Sequence, residues 1–142
     1  DGKLYAVGGR SNGASRSSVE RYDPALDAWE AVAPMASARL EHAVAVLDGK
    51  LYAVGGYNDD DQFLSSVERC DPAVGAWEAV APMASARNAV GVAGLDGKLY
   101  AVGGLDGGGD GLWLSSVERY DPAVNAWEEV APMAEGRDTH AV

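Results

Sequence analysis

The side chains best suited to catalysis or metal binding are few in this sequence. Its 142 residues include two histidines and one cysteine. His42 and His140 fall at the same position of a repeated segment, so they do not converge with Cys70 into one set of ligands or nucleophiles. The sequence has no Ser-His-Asp arrangement, no phosphate-binding glycine loop and no Cys-x-x-Cys motif. We therefore expect a protein that is not an enzyme and has no catalytic residues, no cofactor and no metal site.

Arginines supply the other chemistry that the sequence offers. One arginine position recurs at Arg39, Arg87 and Arg137. Arginines around one rim could bind an acidic peptide through bidentate carboxylate contacts. The alternative is a structural role, in which each guanidinium ties loop carbonyls or neighbouring acids, and recurrence in every copy favours it. A second arginine position, always preceded by glutamate, predicts ion pairs between units at Arg21, Arg69 and Arg119.

These residues lie in a segment that occurs three times. DGKLYAVGG occupies residues 1–9, 48–56 and 96–104, and AWE-x-VAPMA occupies residues 28–36, 76–84 and 126–134. Between them, SSVER-x-DPA recurs at 17–25, 65–73 and 115–123. Such a period indicates a modular array in which each unit buries its faces against its neighbours.

Each unit reads as four short strands. In the second unit we predict strands at 50–56, 66–70 and 76–81, ended by a glycine pair, Asp71-Pro72 and Pro82. A fourth strand of small residues follows (NAVGVAGL, 88–95) and ends at the hairpin signal Asp96-Gly97. Small side chains suit the narrow inner position of a radial array, with the tryptophan strand outermost. The sequence therefore predicts an all-β fold, a β-propeller of four-stranded blades.

The repeated motifs resemble the Kelch repeat along the whole chain. The glycine doublets, the Tyr22/Trp29 and Tyr120/Trp127 pairs, and the VERYDP and APM motifs are similar to the Kelch domains of BTB–Kelch adaptor proteins. Cys70 departs from the aromatic pair in the second unit. The resemblance implies a ring that commonly has six blades and a loop face that binds proteins or peptides.

The resemblance also nominates the residues of that loop face. In the family, ligands meet the residue after each glycine doublet and the loop that precedes each inner strand. In this sequence the resemblance therefore nominates Arg10, Asn12, Tyr57, Asn58, Arg39, Glu41, Arg87, Asn88, Arg137 and Asp138.

The order of the strands predicts how the ring closes. We expect one Kelch-repeat domain over residues 1–142, with blades at 1–36, 37–84 and 85–134, the first completed by a strand from residues 137–142. Three blades alone would expose two apolar faces. We therefore expect a homodimer that closes a six-bladed ring by exchanging strands. A monomeric fragment and a larger open oligomer are the alternatives. Closure would join Thr139, His140, Ala141 and Val142 of one chain to Leu4, Tyr5, Ala6 and Val7 of the other.

Charge excludes some partners. A net charge of −11 argues against nucleic acid and anionic membranes as partners. No apolar stretch is long enough to span a bilayer, and a lone cysteine fits a reducing, cytoplasmic compartment. Two hypotheses remain: a scaffold that binds proteins or peptides, and an engineered or recently duplicated half-propeller with no evolved ligand. The identical DGKLYAVGG copies favour the second hypothesis and the irregular loops favour the first.

Overall fold

The computed structural model describes residues 2–108 and 110–142, whose strands build three antiparallel sheets and one short hairpin. Blade 1 comprises β1 (Leu4–Val7), β4 (Val19–Asp23) and β5 (Ala28–Val32), with a hairpin of β2 (Arg10–Ser11) and β3 (Ala14–Ser15) between β1 and β4. Blade 2 comprises β6 (Ala43–Leu47), β7 (Lys50–Val54), β8 (Val67–Asp71) and β9 (Ala76–Val80). Blade 3 comprises β10 (Gly91–Leu95), β11 (Lys98–Val102), β12 (Val117–Asp121) and β13 (Ala126–Val130).

The predicted hairpins that join the inner strand of a blade to its second strand are present. Asp96 and Gly97 join β10 to β11 with φ values of 50° and 72°. Left-handed φ at both central residues matches the right-handed twist of the flanking strands, and Asp-Gly tolerates it better than most dipeptides. The turn fixes the register, in which Leu95 pairs with Lys98. The sequence-based expectation of an all-β chain with four-stranded antiparallel sheets is confirmed in blades 2 and 3.

The apolar core lies between successive blades. Tyr52 of blade 2 and Tyr120 of blade 3 are both buried, and their rings meet edge to face with centroids 5.9 Å apart. Val19, Met35 and Ala53 form the corresponding cluster between blades 1 and 2. Both faces of blade 2 are thus covered, which explains why its strands lack a clean alternation of apolar and polar residues.

Blade 1 differs from the other two because β1 is an edge strand among the described residues. Leu4 of β1 is 63% exposed, whereas the equivalent Leu51 of β7 is 6% exposed. Trp29 of β5 is 52% exposed, whereas the equivalent Trp77 is half-buried. At the other end of the described chain, residues 137–142 form no strand. Nowhere in the described residues is there a helix long and apolar enough to span a membrane.

Candidate functional site

The loops of each blade leave the second strand at a glycine doublet. Gly55 and Gly56 adopt φ values of 65° and 95°. A β-carbon on Gly56 would lie 2.7 Å from the carbonyl oxygen of Leu40, so only glycine fits without displacing backbone. The amide of Gly56 then donates to the carbonyl of Arg87 at 2.8 Å. The doublet therefore holds the linkers on both sides of blade 2 close to its loop face.

An arginine in each linker anchors the next blade. The guanidinium of Arg39 donates to the carbonyls of Gly55 and Ser66, both at 2.9 Å. Its Nη2 also contacts Glu68 Oε2 at 3.0 Å, and the two side chains are 0% and 4% exposed. Glu68 in turn accepts a hydrogen bond from the backbone amide of Ala36 at 2.6 Å. A buried charge of each sign is thus neutralised and hydrogen-bonded, as burial requires.

The same junction recurs between blades 2 and 3. Arg87 donates to Gly103 O at 2.8 Å, to Ser116 O at 3.0 Å and to Glu118 Oε2 at 2.9 Å. The guanidinium groups of Arg39 and Arg87 are fully buried and hydrogen-bonded within the chain. Their nomination as ligand contacts is therefore corrected: both are structural, the alternative that their recurrence favoured.

The second arginine position also departs from expectation. Arg119 pairs with Glu128 on the neighbouring strand of its own blade, and both side chains are partly exposed. The equivalent pairs are Arg21–Glu30 and Arg69–Glu78. The prediction that these arginines join neighbouring blades is wrong. Successive residues of a strand point to opposite faces of the sheet, so the arginine and the glutamate before it cannot both face the neighbouring blade. In blades 2 and 3 the glutamate, Glu68 or Glu118, faces the linker arginine. The sequence did contain a signal for the glutamate contact, because a glutamate recurs at the same position of this strand in every repeat.

Several of the nominated loop residues meet around one groove. A groove of about 290 Å³ is lined by Arg10, Glu41, Tyr57 and Asn88, together with Leu40, Asp61 and Phe63, which the resemblance did not nominate. Backbone pairing brings the linker and the loop of blade 2 together at this groove, since Leu40 and Tyr57 exchange hydrogen bonds at 2.9 Å in each direction. The groove thus draws on all three repeats.

The polar groups of the groove are mostly tied to one another. The hydroxyl of Tyr57 donates to Asp61, and its ring packs edge to face on Phe63 with centroids 5.4 Å apart. The Asp61 carboxylate raises the pKa of the Tyr57 phenol. Asn88 donates from Nδ2 to Glu41 Oε2 at 2.7 Å, but its Oδ1 is buried without a hydrogen-bond partner among the described residues. That free acceptor is a point where a bound donor would lower the energy.

The other nominated residues lie apart from the groove lining. Asn12 occupies the exposed turn of the β2–β3 hairpin with φ of 52°. Asn58 organises its own loop, since its Oδ1 accepts from the amides of Asp60 and Gln62, both at 3.1 Å. Arg137 is exposed and Asp138 is half-exposed at the far side of blade 3. The nominated set therefore divides between the groove, the buried junctions, the exposed loops that hold Asn12 and Asn58, and the free side of blade 3.

The histidines lie beside the glycine doublets. His42 is largely buried, and its desolvation, aided by the Arg39 charge, lowers its pKa to about 4, with a backbone hydrogen bond to Val7 opposing the shift. Neither ring nitrogen of His140 has a hydrogen-bond partner among the described residues. No group of three His, Cys, Asp or Glu side chains within the described part of the chain is placed to hold a metal ion.

Cys70 replaces the tyrosine of the other blades. In blade 3, the Tyr120 hydroxyl donates to Asn125 Oδ1 at 2.8 Å, and in blade 1 Tyr22 bonds Asp27 in the same way. Blade 2 has Cys70 and Gly75 at these positions, and both line a small cavity of about 30 Å³. Burial raises the pKa of the Cys70 thiol, so the reactive thiolate is disfavoured.

Antiparallel blades of four strands, or three in blade 1 among the described residues, joined in series and packed face to face, define a β-propeller scaffold. The Kelch motif matches residues 1–36, 38–84 and 86–134, and the chain belongs to the Kelch-repeat family. The sequence-based resemblance is confirmed. Its match to residues 1–36 includes the three-stranded blade 1.

Curated relatives match over one to two repeats. Human Kelch-like protein 33 is 43% identical over 65 residues, which are 46% of this chain and 12% of that protein. Mouse influenza virus NS1A-binding protein homolog is 45% identical over 65 residues, which are 46% of this chain and 10% of that protein. The matched part thus spans about a tenth of the length of these relatives. The solved structure of YjhT aligns with a TM-score of 0.78 at 19% identity, over 97% of this chain and 51% of that one, which shows the fold alone.

Proposed function

We propose that this chain is a non-catalytic scaffold that recognises a protein or peptide partner in its loop-face groove. The observation that carries the proposal is the groove itself, in which an exposed guanidinium (Arg10), an aromatic edge (Phe63) and the unpartnered Asn88 Oδ1 meet. Membership of the Kelch-repeat family and similarity to Kelch-like proteins support a binding role. A cytoplasmic location fits the same relatives and the lone buried cysteine.

The chemistry of the groove narrows the class of peptide that it would bind. Its lining includes one arginine and two acids, Glu41 and Asp61. A uniformly acidic peptide would be repelled by the two carboxylates, so it fits less well than sequence reasoning suggested. The preferred segment presents an apolar side chain to Leu40 and Phe63, a hydrogen-bond donor to Asn88 and one carboxylate to Arg10. Direct contacts of this kind are the usual hot spots of a small interface.

A peptide selection tests this proposal. Heptapeptides selected from a random displayed library against the 142-residue protein are then measured as synthetic peptides by fluorescence polarisation. We expect selected peptides to lose at least tenfold in affinity on Arg10→Ala and on Phe63→Ala. Arg119→Ala, in an exposed pair on the strands of blade 3, is the matched control and should leave affinity unchanged.

Two results would count against the groove. Binding that survives both groove substitutions would place recognition elsewhere. If selection yields no binder from acidic, basic or apolar classes, the second hypothesis is favoured, a duplicated or engineered half-propeller with no evolved ligand. The identical nonapeptide in all three repeats is the observation that supports a duplicated or engineered origin.

We further propose that two copies close a six-bladed ring, with three blades from each chain. Blade 1 (residues 1–36) would gain its inner strand from residues 137–142 of the second copy, while residues 37–84 and 85–134 supply complete blades. An open groove of about 500 Å³ supports this, since Leu4 and Tyr5 of β1 face Val44 and Val46 of β6 across it. Those side chains form the apolar walls that an inner strand of small residues would fill.

The absolute mass in solution tests ring closure. Light scattering on a sizing column, over a concentration series, should give about twice the chain mass of 14.7 kDa. A folded, monodisperse monomer would overturn the closure, and so would a ladder of larger masses, which indicates an open chain of copies.

A further inference from the structure

We infer that Arg137 of one chain and Glu20 of a second copy form the same buried ion pair that joins the blades within the chain. The inference rests on the proposed closure and names the contact that selects the partner. The two internal junctions set the rule: each linker arginine pairs with the strand glutamate of the blade that follows, in Arg39–Glu68 and Arg87–Glu118. The Nη2–Oε2 distances are 3.0 and 2.9 Å.

One arginine and one glutamate of this series are left over. Arg137 stands at the repeat position of Arg87, and Glu20 stands at that of Glu118. Both are exposed, and neither forms a salt bridge within residues 2–108 and 110–142. Glu20 lies in blade 1 and Arg137 follows blade 3, so the two residues stand at opposite sides of the three-blade array and do not meet within it. A second copy presents the missing partner at each side.

The receiving side already has the geometry of an occupied junction. In blade 2 the Gly55 amide donates to Ser66 O at 3.2 Å, which positions the two carbonyls that Arg39 binds. In blade 1 the Gly8 amide donates to Ser18 O at 3.0 Å in the same way. The acceptors for a guanidinium therefore stand beside Glu20 before any partner arrives, so little reorganisation is needed on binding.

The donating side is equally prepared. The Arg137 amide donates to Leu114 O at 3.2 Å, as the Arg87 amide donates to Leu64 O at 3.1 Å. Two residues on, the Thr139 amide donates to Ala89 O at 3.0 Å. Thr139 has φ of 47°, close to the 49° of Ala89 at the equivalent position. The linker after blade 3 thus holds the turn that leads into an inner strand.

A second charge pair extends the junction on the loop face. Within the chain, Asn88 and Leu105 exchange backbone hydrogen bonds at 2.9 and 2.8 Å, as Leu40 and Tyr57 do one blade earlier. The next pair in this register is Asp138 with Arg10 of the second copy. Their charges are opposite, and the backbone pairing would bring Asp138 of one copy to the edge of the groove that Arg10 lines in the other. Burying either charge of the main pair alone is strongly unfavourable, which makes the match selective.

A charge exchange tests the pair. The 142-residue protein is prepared as Glu20→Arg, as Arg137→Glu and as the double variant, and masses are measured by light scattering at one concentration. We expect each single variant to be a monomer and the double variant to recover the dimer. Mixing the two single variants should give a heterodimer, because one seam then has the native pair and the other has the exchanged pair. Arg21→Glu is the matched control, since Arg21 pairs with Glu30 inside blade 1 and should leave the dimer intact.

The outcomes separate this inference from ring closure itself. A native protein that is monomeric overturns the closure. A native dimer whose single variants remain dimeric overturns the Arg137–Glu20 pair and leaves closure standing. If a single variant unfolds, recovery of a folded heterodimer on mixing still supports the pair, and failure of both mixing and the double variant contradicts it.

Discussion

Replacing Arg87 with alanine should be among the most damaging single substitutions in this protein. The change removes a guanidinium that is 0% exposed and that binds Glu118, Gly103 O and Ser116 O between blades 2 and 3. Glu118 would remain buried with its charge, since its side chain is 4% exposed in the ion pair. Breaking a buried pair on one side costs about 3–5 kcal/mol.

Two other contacts change the cost of breaking the Arg87–Glu118 pair, one lowering it and one raising it. Glu118 keeps its hydrogen bond from the Ala84 amide at 2.6 Å, which holds the loss toward the lower end. The Ser116 carbonyl keeps its hydrogen bond from the Gly103 amide at 3.1 Å, but the Gly103 carbonyl loses the donor that Arg87 supplied, which adds about 1–3 kcal/mol where water cannot reach it. We therefore expect a loss of about 4 kcal/mol in the free energy of unfolding, and a fall in Tm of roughly 10–20 °C for a chain of this size.

Equilibrium unfolding in urea, followed by tryptophan fluorescence at one protein concentration, measures the loss. Arg119→Ala is the control within the same blade, because it removes an arginine–glutamate pair whose side chains are 32% and 58% exposed. An exposed pair contributes about 0–1 kcal/mol. If Arg87→Ala and Arg119→Ala destabilise the protein equally, the reasoning that burial sets the strength of these junctions is refuted.

Two further predictions concern stability. The double variant Cys70→Tyr with Gly75→Asn should restore the hydrogen-bonded pair of the other blades and fill the cavity of about 30 Å³, raising the free energy of unfolding by about 1–2 kcal/mol. A double-mutant cycle should show coupling, and additive single effects would contradict it. The lowered pKa of His42, about 4, means that the unfolded chain binds a proton more tightly, so stability should fall by up to about 3 kcal/mol as pH drops from 6.5 to 4. His42→Val, which copies Val90 at the equivalent position, should flatten that slope in pH-dependent unfolding, and an unchanged slope would assign it to other groups.

Much of the fold could be predicted because local and repeated signals agree. Asp96-Gly97 fixes a hairpin on its own, and the small residues of β10 suit only the narrow inner position. The pairing of charges could not be predicted as well, since Glu118 and Arg119 are adjacent and their side chains leave opposite faces of β12. Which of the two side chains meets Arg87 in the preceding linker depends on how the sheets stack, and that information is not local.

The groove was harder to anticipate for a similar reason. Arg10 and Tyr57 stand at a position that a family resemblance can nominate, but Leu40 and Asp61 join them only through loop folding. The unpartnered Oδ1 of Asn88 is a property of packing, because the same amide elsewhere in the sequence would find water or a backbone donor.

The near-identity of the two buried arginine–glutamate junctions bears on cooperativity. In a linear array, stability is a sum of terms for each unit and couplings between nearest neighbours, and an open end lacks one coupling. Since Arg39–Glu68 and Arg87–Glu118 have nearly the same geometry, their couplings should be nearly equal. Blades 1 and 3 of a single copy each have a neighbouring blade on one side only, and blade 1 also has three strands instead of four among the described residues, so unfolding should begin by fraying at blade 1. In a closed ring every blade has two neighbours and therefore two nearly equal couplings, so the protection of backbone amides from hydrogen exchange would become uniform from blade to blade.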